Sequence, residues 1–369
     1  MENKKDTQTF PALTGVRAIA AYMVFFHHYI GTCHTGVFLS FVKEFYTGVT
    51  IFFVLSGFFI SGILFREFIA NGKINPARFL IRRGLKIWPL FYTALAIQLC
   101  YNLLKDQELT TNQILSEIFF VQNYIPGFMN VTWSLGIEEQ FYLLLAIGMP
   151  FILNKGKPVK LVIQYCFGVI LLCIVLRFMN LRINPLYDPY INFYPLHLRA
   201  DSLCSGIILS YFYHFHRNKF DNFVAGNRKL LAIISGLMLA PIFFYPYNHK
   251  FTYSAGFSFA YIGYFILVAL LVVRKKEIKL HQWRLQSLLL SKIAWIGYHS
   301  YSIYLFHFFI GFGLVSNVRK LVGETGFIWF EFGIFITGNI LFGYLASKVV
   351  EQPVLRWRDK RFPASNQKI

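Results

Sequence analysis

Two residues able to do acid–base or charge chemistry stand inside the apolar run FPALTGVRAIAAYMVFFHHYI (10–30): Arg17 and His28. Eleven steps of about 100° return almost to the starting face of a helix, so both side chains share a face, about 16 Å apart along the axis. The run has about the twenty residues needed to cross the hydrocarbon core. A cation and an imidazole on one face of a membrane helix look inward, to a cavity or a partner, rather than at lipid. An imidazole so placed is a candidate general base or acyl-carrying nucleophile. That face is expected to line a site where a group is transferred across or within the membrane. His27 neighbours His28 but points about 100° away.

Other residues supply the remaining chemistry. Arg78, Arg82, Arg83 and Lys86 lie within nine residues, followed by Trp88 and Pro89. They are either a positive-inside anchor or, with Arg82, Arg83 and Lys86 adjoining on one helical face, a clamp for the phosphates of a nucleotide-bearing cosubstrate. The stretch NVTWSLGIEEQFYLL places Glu138 and Glu139 at the start of an apolar span. The helix dipole accounts for one of them, with Ser134 as an N-cap; a carboxylate near His28 would orient its ring and raise its basicity. Trp133, Ser134 and Tyr142 are possible donors to a tetrahedral oxyanion. Further on, His197, Arg199 and Asp201 stand at the mouth of another span, where Arg199 and Asp201 either pair with each other or face a substrate. His307 lies deep in GYHSYSIYLFHFFI, as a hydrogen-bonded core histidine or a substrate-side group. Glu351, in VVEQPVLRW, is placed to meet an arginine of the basic cluster.

These residues need a membrane scaffold. The 369-residue chain is 56% hydrophobic and 14% charged, with 42 phenylalanines, which excludes an ordinary soluble domain. Ten apolar runs are visible, near 10–30, 48–65, 87–104, 137–153, 161–179, 201–215, 230–246, 255–273, 294–313 and 326–347. Of 36 Lys and Arg, 27 fall in alternate connecting segments beginning with 1–9. This asymmetry places both termini in the cytoplasm. The net charge of +19 is thus split into short clusters, with no nucleic-acid recognition motif beside them. The expected fold is an all-α integral membrane protein of about ten transmembrane helices, one domain over 1–369 with its core at 10–355, a short polar tail at 356–369, and no soluble appendage. Neither a signal peptide nor an internal repeat is visible. The five cysteines read as small hydrophobes, not disulfides or metal ligands, and no metal is expected.

The pieces LTGVRAIAAYMVFFHH, GVTIFFVLSGFFIS, FLIRRGLKIWPLFY, WSLGIEEQFYLL, HLRADSLCSG, SYSIYLFHFF and EQPVLRW together resemble the acyltransferase family 3 proteins, bacterial membrane O-acyltransferases. They follow the family's order over nearly the whole chain. The resemblance implies a ten-helix domain in the inner membrane that takes an acyl group, usually acetyl, from cytoplasmic acyl-coenzyme A. It passes that group to a hydroxyl of an envelope or secreted glycan, with acetyl-coenzyme A as cosubstrate and no permanently bound cofactor. It puts the essential histidine on His28, the first-helix arginine on Arg17, the basic motif on Arg82, Arg83 and Lys86, and the paired acids on Glu138 and Glu139. Two positions depart from the family: Lys86, where arginine is common, and Thr50, where many members carry an acid. If that acid assists the histidine elsewhere, a glutamate such as Glu138 does so here. The rival readings are a polytopic glycan or small-molecule exporter using Arg17 and His28 as a polar relay, and a non-catalytic membrane scaffold.

Overall fold

The computed structural model describes residues 11–33, 44–129, 131–273, 284–322 and 328–364. The basic residues of 1–9 and 274–283 that contribute to the charge asymmetry lie outside them, as do residues 365–369 of the tail and the side chain of Cys33. Every long described element is a helix. In chain order these are α1 (Pro11–Cys33), α2 (Gly48–Asn71), α3 (Pro76–Leu104), α4 (Thr111–Ile118), α5 (Trp133–Leu153), α6 (Lys160–Ile183), α7 (Leu196–Phe215), α8 (Arg217–Gly226), α9 (Arg228–Leu239), α10 (Phe257–Val272), α11 (Arg284–Tyr298), α12 (Ser300–Val322), α13 (Ile328–Ala346) and α14 (Gln352–Arg361).

Among the described residues, six helical stretches are long and apolar enough to cross a membrane, or eight if each of two bent pairs counts as one span. The ten-span expectation is therefore met only in part. Two of the predicted runs correspond to α1 and α7, which are helical but less apolar: Arg17, His27 and His28 dilute the first, and His197, Arg199 and Asp201 the second. These two helices carry polar residues that a site needs, so they fail a test of apolarity for the same reason they matter.

The apolar side chains sort by face. Phe167, Leu171 and Leu172 of α6 and Leu143, Leu144 and Ile147 of α5 are exposed in the bundle, as lipid-facing residues must be. Phe53, Ile60, Leu64 and Phe65 of α2 are fully buried, which places α2 at the centre. It packs most closely on α7. A Cβ at Gly57 would sit 2.0 Å from the Leu203 carbonyl oxygen, and one at Gly206 would sit 2.2 Å from that of Val54, so the two backbones touch. The same close approach joins α1 to α2 at Gly48, α1 to α11 at Gly297, and α12 to α13 at Gly343.

Local signals set several helix ends. Asn75 caps α3 by accepting from the Arg78 N–H at 3.0 Å, with Pro76 at the first helical position. Gly72 closes α2 with φ 69°. Thr110 and Gln113 form a capping box on α4. The segment 119–132 is then held by a buried carboxyl. Glu117 accepts from the Met129 N–H at 3.0 Å and from the Thr132 hydroxyl at 2.8 Å. Gln140 donates to the Phe120 carbonyl and the Asn123 side chain, both at 2.7 Å. This lacing fixes where α5 begins. α5 starts at Trp133 without a side-chain cap, so Ser134 is not the expected N-cap.

Two predictions arise here. Gly206→Ala should destabilise the protein by about 1–3 kcal/mol through overpacking against backbone. Gly148→Ala, whose Cβ meets nothing within 4 Å, should be neutral or stabilising by up to about 1 kcal/mol. Thermal melting of the detergent-solubilised variants separates the two. Burial pushes the Glu117 carboxyl up to about 7. A raised carboxyl favours its protonated form in the folded state. Its contribution is therefore whole below about pH 4, the unfolded value, and is lost as pH rises through about 7. Proteolytic nicking within 119–132 should be faster at pH 8 than at pH 6, and Glu117→Gln should remove that difference.

Candidate active site

The polar residues of α1 meet α12. Arg17 Nε donates to Ser300 Oγ at 3.2 Å, and His28 Nδ1 lies 2.7 Å from His307 Nε2. The shared face expected from the eleven-residue spacing is thus a face toward one helix. His307, fully buried, is the partner of His28 and not an isolated core histidine. The rings are parallel within 9°.

One contact fixes the proton positions of this pair. His307 Nδ1 bonds to the Tyr304 carbonyl, which only accepts, so Nδ1 carries the hydrogen. A neutral imidazole has one donor and one acceptor nitrogen. His307 Nε2 therefore accepts, His28 Nδ1 donates, and the lone pair of His28 stands on Nε2. That is the tautomer a general base or nucleophile requires. Tyr304 joins the pair to α5: its hydroxyl is 2.9 Å from Ser134 Oγ and donates to the Val131 carbonyl at 3.1 Å. The oxyanion-donor candidates of the sequence fall in different places. Ser134 belongs to this chain, Tyr142 does not, and Trp133 stacks on Tyr194 with centroids 4.4 Å apart.

Among the described residues, Glu138 and Glu139 bond to partners other than His28. The titratable groups acting on His28 among the described residues are His307 and His27. Glu138 lies further along the bundle, accepting from the Tyr142 hydroxyl at 2.7 Å, and Tyr142 is 2.5 Å from Ser56 Oγ. Arg17 and Arg83 are its charged neighbours. Glu139 accepts from Trp88 Nε1 at 2.8 Å. The two glutamates are adjacent in sequence but serve separate partners, as side chains 100° apart on a helix must.

The basic cluster is mostly engaged. Arg82 pairs with Asp359 at 3.0 Å and bonds the Phe362 carbonyl, and Lys86 pairs with Glu351. The partner of Glu351 is thus a lysine and not the arginine expected. Arg83 turns inward instead, its guanidinium 5.2 Å from the Tyr142 ring centroid. Arg17, Glu138, Tyr142 and Arg83 form a polar centre beside the Lys86–Glu351 pair.

Arg199 and Asp201 do not pair with each other. Asp201 accepts from Arg177 of α6 at 2.6 Å, and Arg177 also donates to the Leu198 carbonyl and to Ser258. Arg177 is fully buried and was missed in the sequence; its only signal was a lone cation inside the 161–179 run. Arg199 donates to Thr50 at 3.0 Å. Position 50 therefore faces Arg199 and not the histidine pair, so an acid there would neutralise a buried guanidinium.

A family model described as an acyltransferase domain matches residues 10–348. The chain belongs to the acyltransferase 3 family. It is 30% identical over 365 residues to the peptidoglycan O-acetyltransferase OatA of Listeria monocytogenes, covering 93% of this chain and 55% of that protein. It is 27% identical over 333 residues to the O-acetyltransferase OatA of Staphylococcus aureus, covering 84% of this chain and 51% of that protein. The chain thus spans little more than half the length of these relatives. No solved structure matches.

If His307 sets the tautomer of His28, His307→Leu should lower kcat by up to about 10²-fold with little change in either KM. His307→Gln, whose amide oxygen can accept from His28 Nδ1–H, should recover much of the loss. A membrane assay with labelled acetyl donor reads both. Equal losses in the two variants would mean that His307 acts only by filling space.

Proposed function

We propose that this chain is a multi-pass O-acetyltransferase of the bacterial inner membrane. Acetyl-coenzyme A from the cytoplasm is the donor and a glycan hydroxyl on the far side is the acceptor. In this reading residues 1–369 are one membrane domain of ten spans with both termini cytoplasmic, so the Lys86 end faces inward and the His28 end outward. The observation that carries it is the face of α1 that holds Arg17 in a polar centre with Glu138 and Arg83 at one end and His28 in the histidine pair at the other. The relatives named as O-acetyltransferases support the choice of acetyl and of a hydroxyl acceptor.

Coenzyme A has an anionic nucleotide end and a slender arm ending in the thioester. Arg82, Arg83 and Lys86 hold the phosphates at the inner face, where the Asp359 and Glu351 partners of Arg82 and Lys86 give way to them. The arm runs along the face containing Arg17, and the thioester reaches His28. Nε2 of His28 takes the proton of the acceptor hydroxyl as its oxygen attacks the thioester carbonyl. The carbon–oxygen bond forms, the carbon–sulfur bond breaks, and the coenzyme A thiolate leaves with the proton returned from His28. The nucleotide never crosses the membrane. General-base catalysis of this kind contributes about 10²–10⁴-fold. Glu138, held by Tyr142 between Arg17 and Arg83, balances the charge of this passage.

His28→Ala should abolish transfer of label from acetyl-coenzyme A to a glycan, while His27→Ala retains much of it. Unchanged transfer by the His28→Ala protein would refute the scheme. Label left on wild-type protein in the absence of acceptor would show that His28 carries the acetyl group itself, and glycan movement without modification would favour an exporter. Arg83→Ala should raise the apparent KM for acetyl-coenzyme A more than that for the acceptor; an effect confined to the acceptor would contradict the clamp.

A further inference from the structure

At the His28 end, four helices present their first residues to one space: Trp133 opens α5, Arg199 lies one turn into α7, Phe257 opens α10, and Thr50 is the third residue of α2. Between them lies an aromatic cup. The Tyr46 ring is 6.1 Å from Tyr247 and 5.7 Å from Phe193, and Tyr187 is 5.8 Å from Tyr247. His27 closes one side, 6.1 Å from Tyr46 and 5.8 Å from Tyr247. Interfacial tyrosines of a membrane protein ordinarily face lipid. These pack edge to face on one another, with Tyr46 buried and Tyr247 39% exposed, so the cluster runs from the bundle interior to its surface.

The inner end of the cluster holds Arg199, which is 1% exposed. Its guanidinium carbon lies 3.8 Å from the Phe257 ring centroid and 5.0 Å from that of Phe193, and Nη2 donates to Thr50. Its Nε and Nη1 have no hydrogen-bond partner among the described residues. The nearby carboxylate, Asp201, is bound to Arg177. A buried cation left with two open donors and no carboxylate of its own is costly unless something completes it. Aromatic faces stabilise a cation but leave its N–H groups unfilled.

We infer that this cup is the acceptor subsite, and that it takes a sugar ring bearing an anionic group, the ring against Tyr46, Tyr187 and Tyr247 and the anion on Nε and Nη1 of Arg199. A guanidinium fork matches a carboxylate in two parallel bonds. His27 touches the cup and His28 is the next residue, so a hydroxyl of the bound ring is delivered beside the histidine pair. This assignment rests on the acyl-transfer reading for its role, but not for its test.

The test is binding, which needs no turnover. Purified detergent-solubilised protein is titrated calorimetrically with an oligogalacturonate and with a neutral oligomer of N-acetylglucosamine of equal length. Wild type should bind the acidic oligomer about tenfold or more tighter, the amount a charge-assisted bond supplies. Arg199→Gln should bring the ratio toward one. Thr50→Asp, which gives Arg199 an internal counter-ion without removing it, should do the same and guards against misfolding of the first variant. Tyr247→Ala should weaken both oligomers alike. Equal affinity in wild type, binding of neither oligomer, or a ratio unmoved by both Arg199→Gln and Thr50→Asp would overturn the assignment. Intact acid-selective binding by a protein whose transfer does not depend on His28 would sink the catalytic reading and leave this one standing.

Discussion

No water reaches the hydrocarbon core to satisfy a polar group, so each buried donor and charge in a membrane bundle needs a partner from another helix. That constraint organises this protein. The contact between His28 and His307 is its clearest product. Two imidazoles from α1 and α12, 279 residues apart, define each other's tautomer because the Tyr304 carbonyl leaves His307 a single choice. Each ring is thereby held in a defined orientation by the other. A carboxyl sits further along the bundle on Glu138, with Arg17 and Arg83 as its charged neighbours.

The helical architecture was legible because it follows from composition and run length alone. Each apolar run corresponds to a described helix, and the face shared by Arg17 and His28 follows from helical arithmetic. The partners were not legible, because helix contacts across hundreds of residues leave no local trace. Nothing near His307 in the sequence distinguishes it from a satisfied core residue, and nothing near Asp201 says that Arg177 and not Arg199 will claim it. Glu138 and Glu139 misled by proximity: position at the start of a span suggested a role beside the histidine, whereas helix phase sends them to different neighbours.

The basic cluster shows the same division. Its cations were evident, but its engagement was not. Arg82 and Lys86 are held by Asp359 and Glu351 on either side of the start of α14, and Arg83 alone turns toward the polar centre. An anchor and a phosphate clamp, opposed as alternatives in the sequence, are compatible in the structure if the carboxylates near α14 hold the cations until a phosphate replaces them.

Backbone contacts divide the bundle mechanically. α1, α2, α7 and α11 touch main chain to main chain through Gly48, Gly57, Gly206 and Gly297, and α12 with α13 through Gly343. Such joints have no compressible side chain between them and do not slide. Between α1 and α12, by contrast, the link runs through side-chain tips, at Arg17–Ser300 and His28–His307. The softest seam of the bundle is therefore the one that carries the paired imidazoles. Any separation of α12 from α1 would also unclasp the imidazole pair, so the two events are one movement.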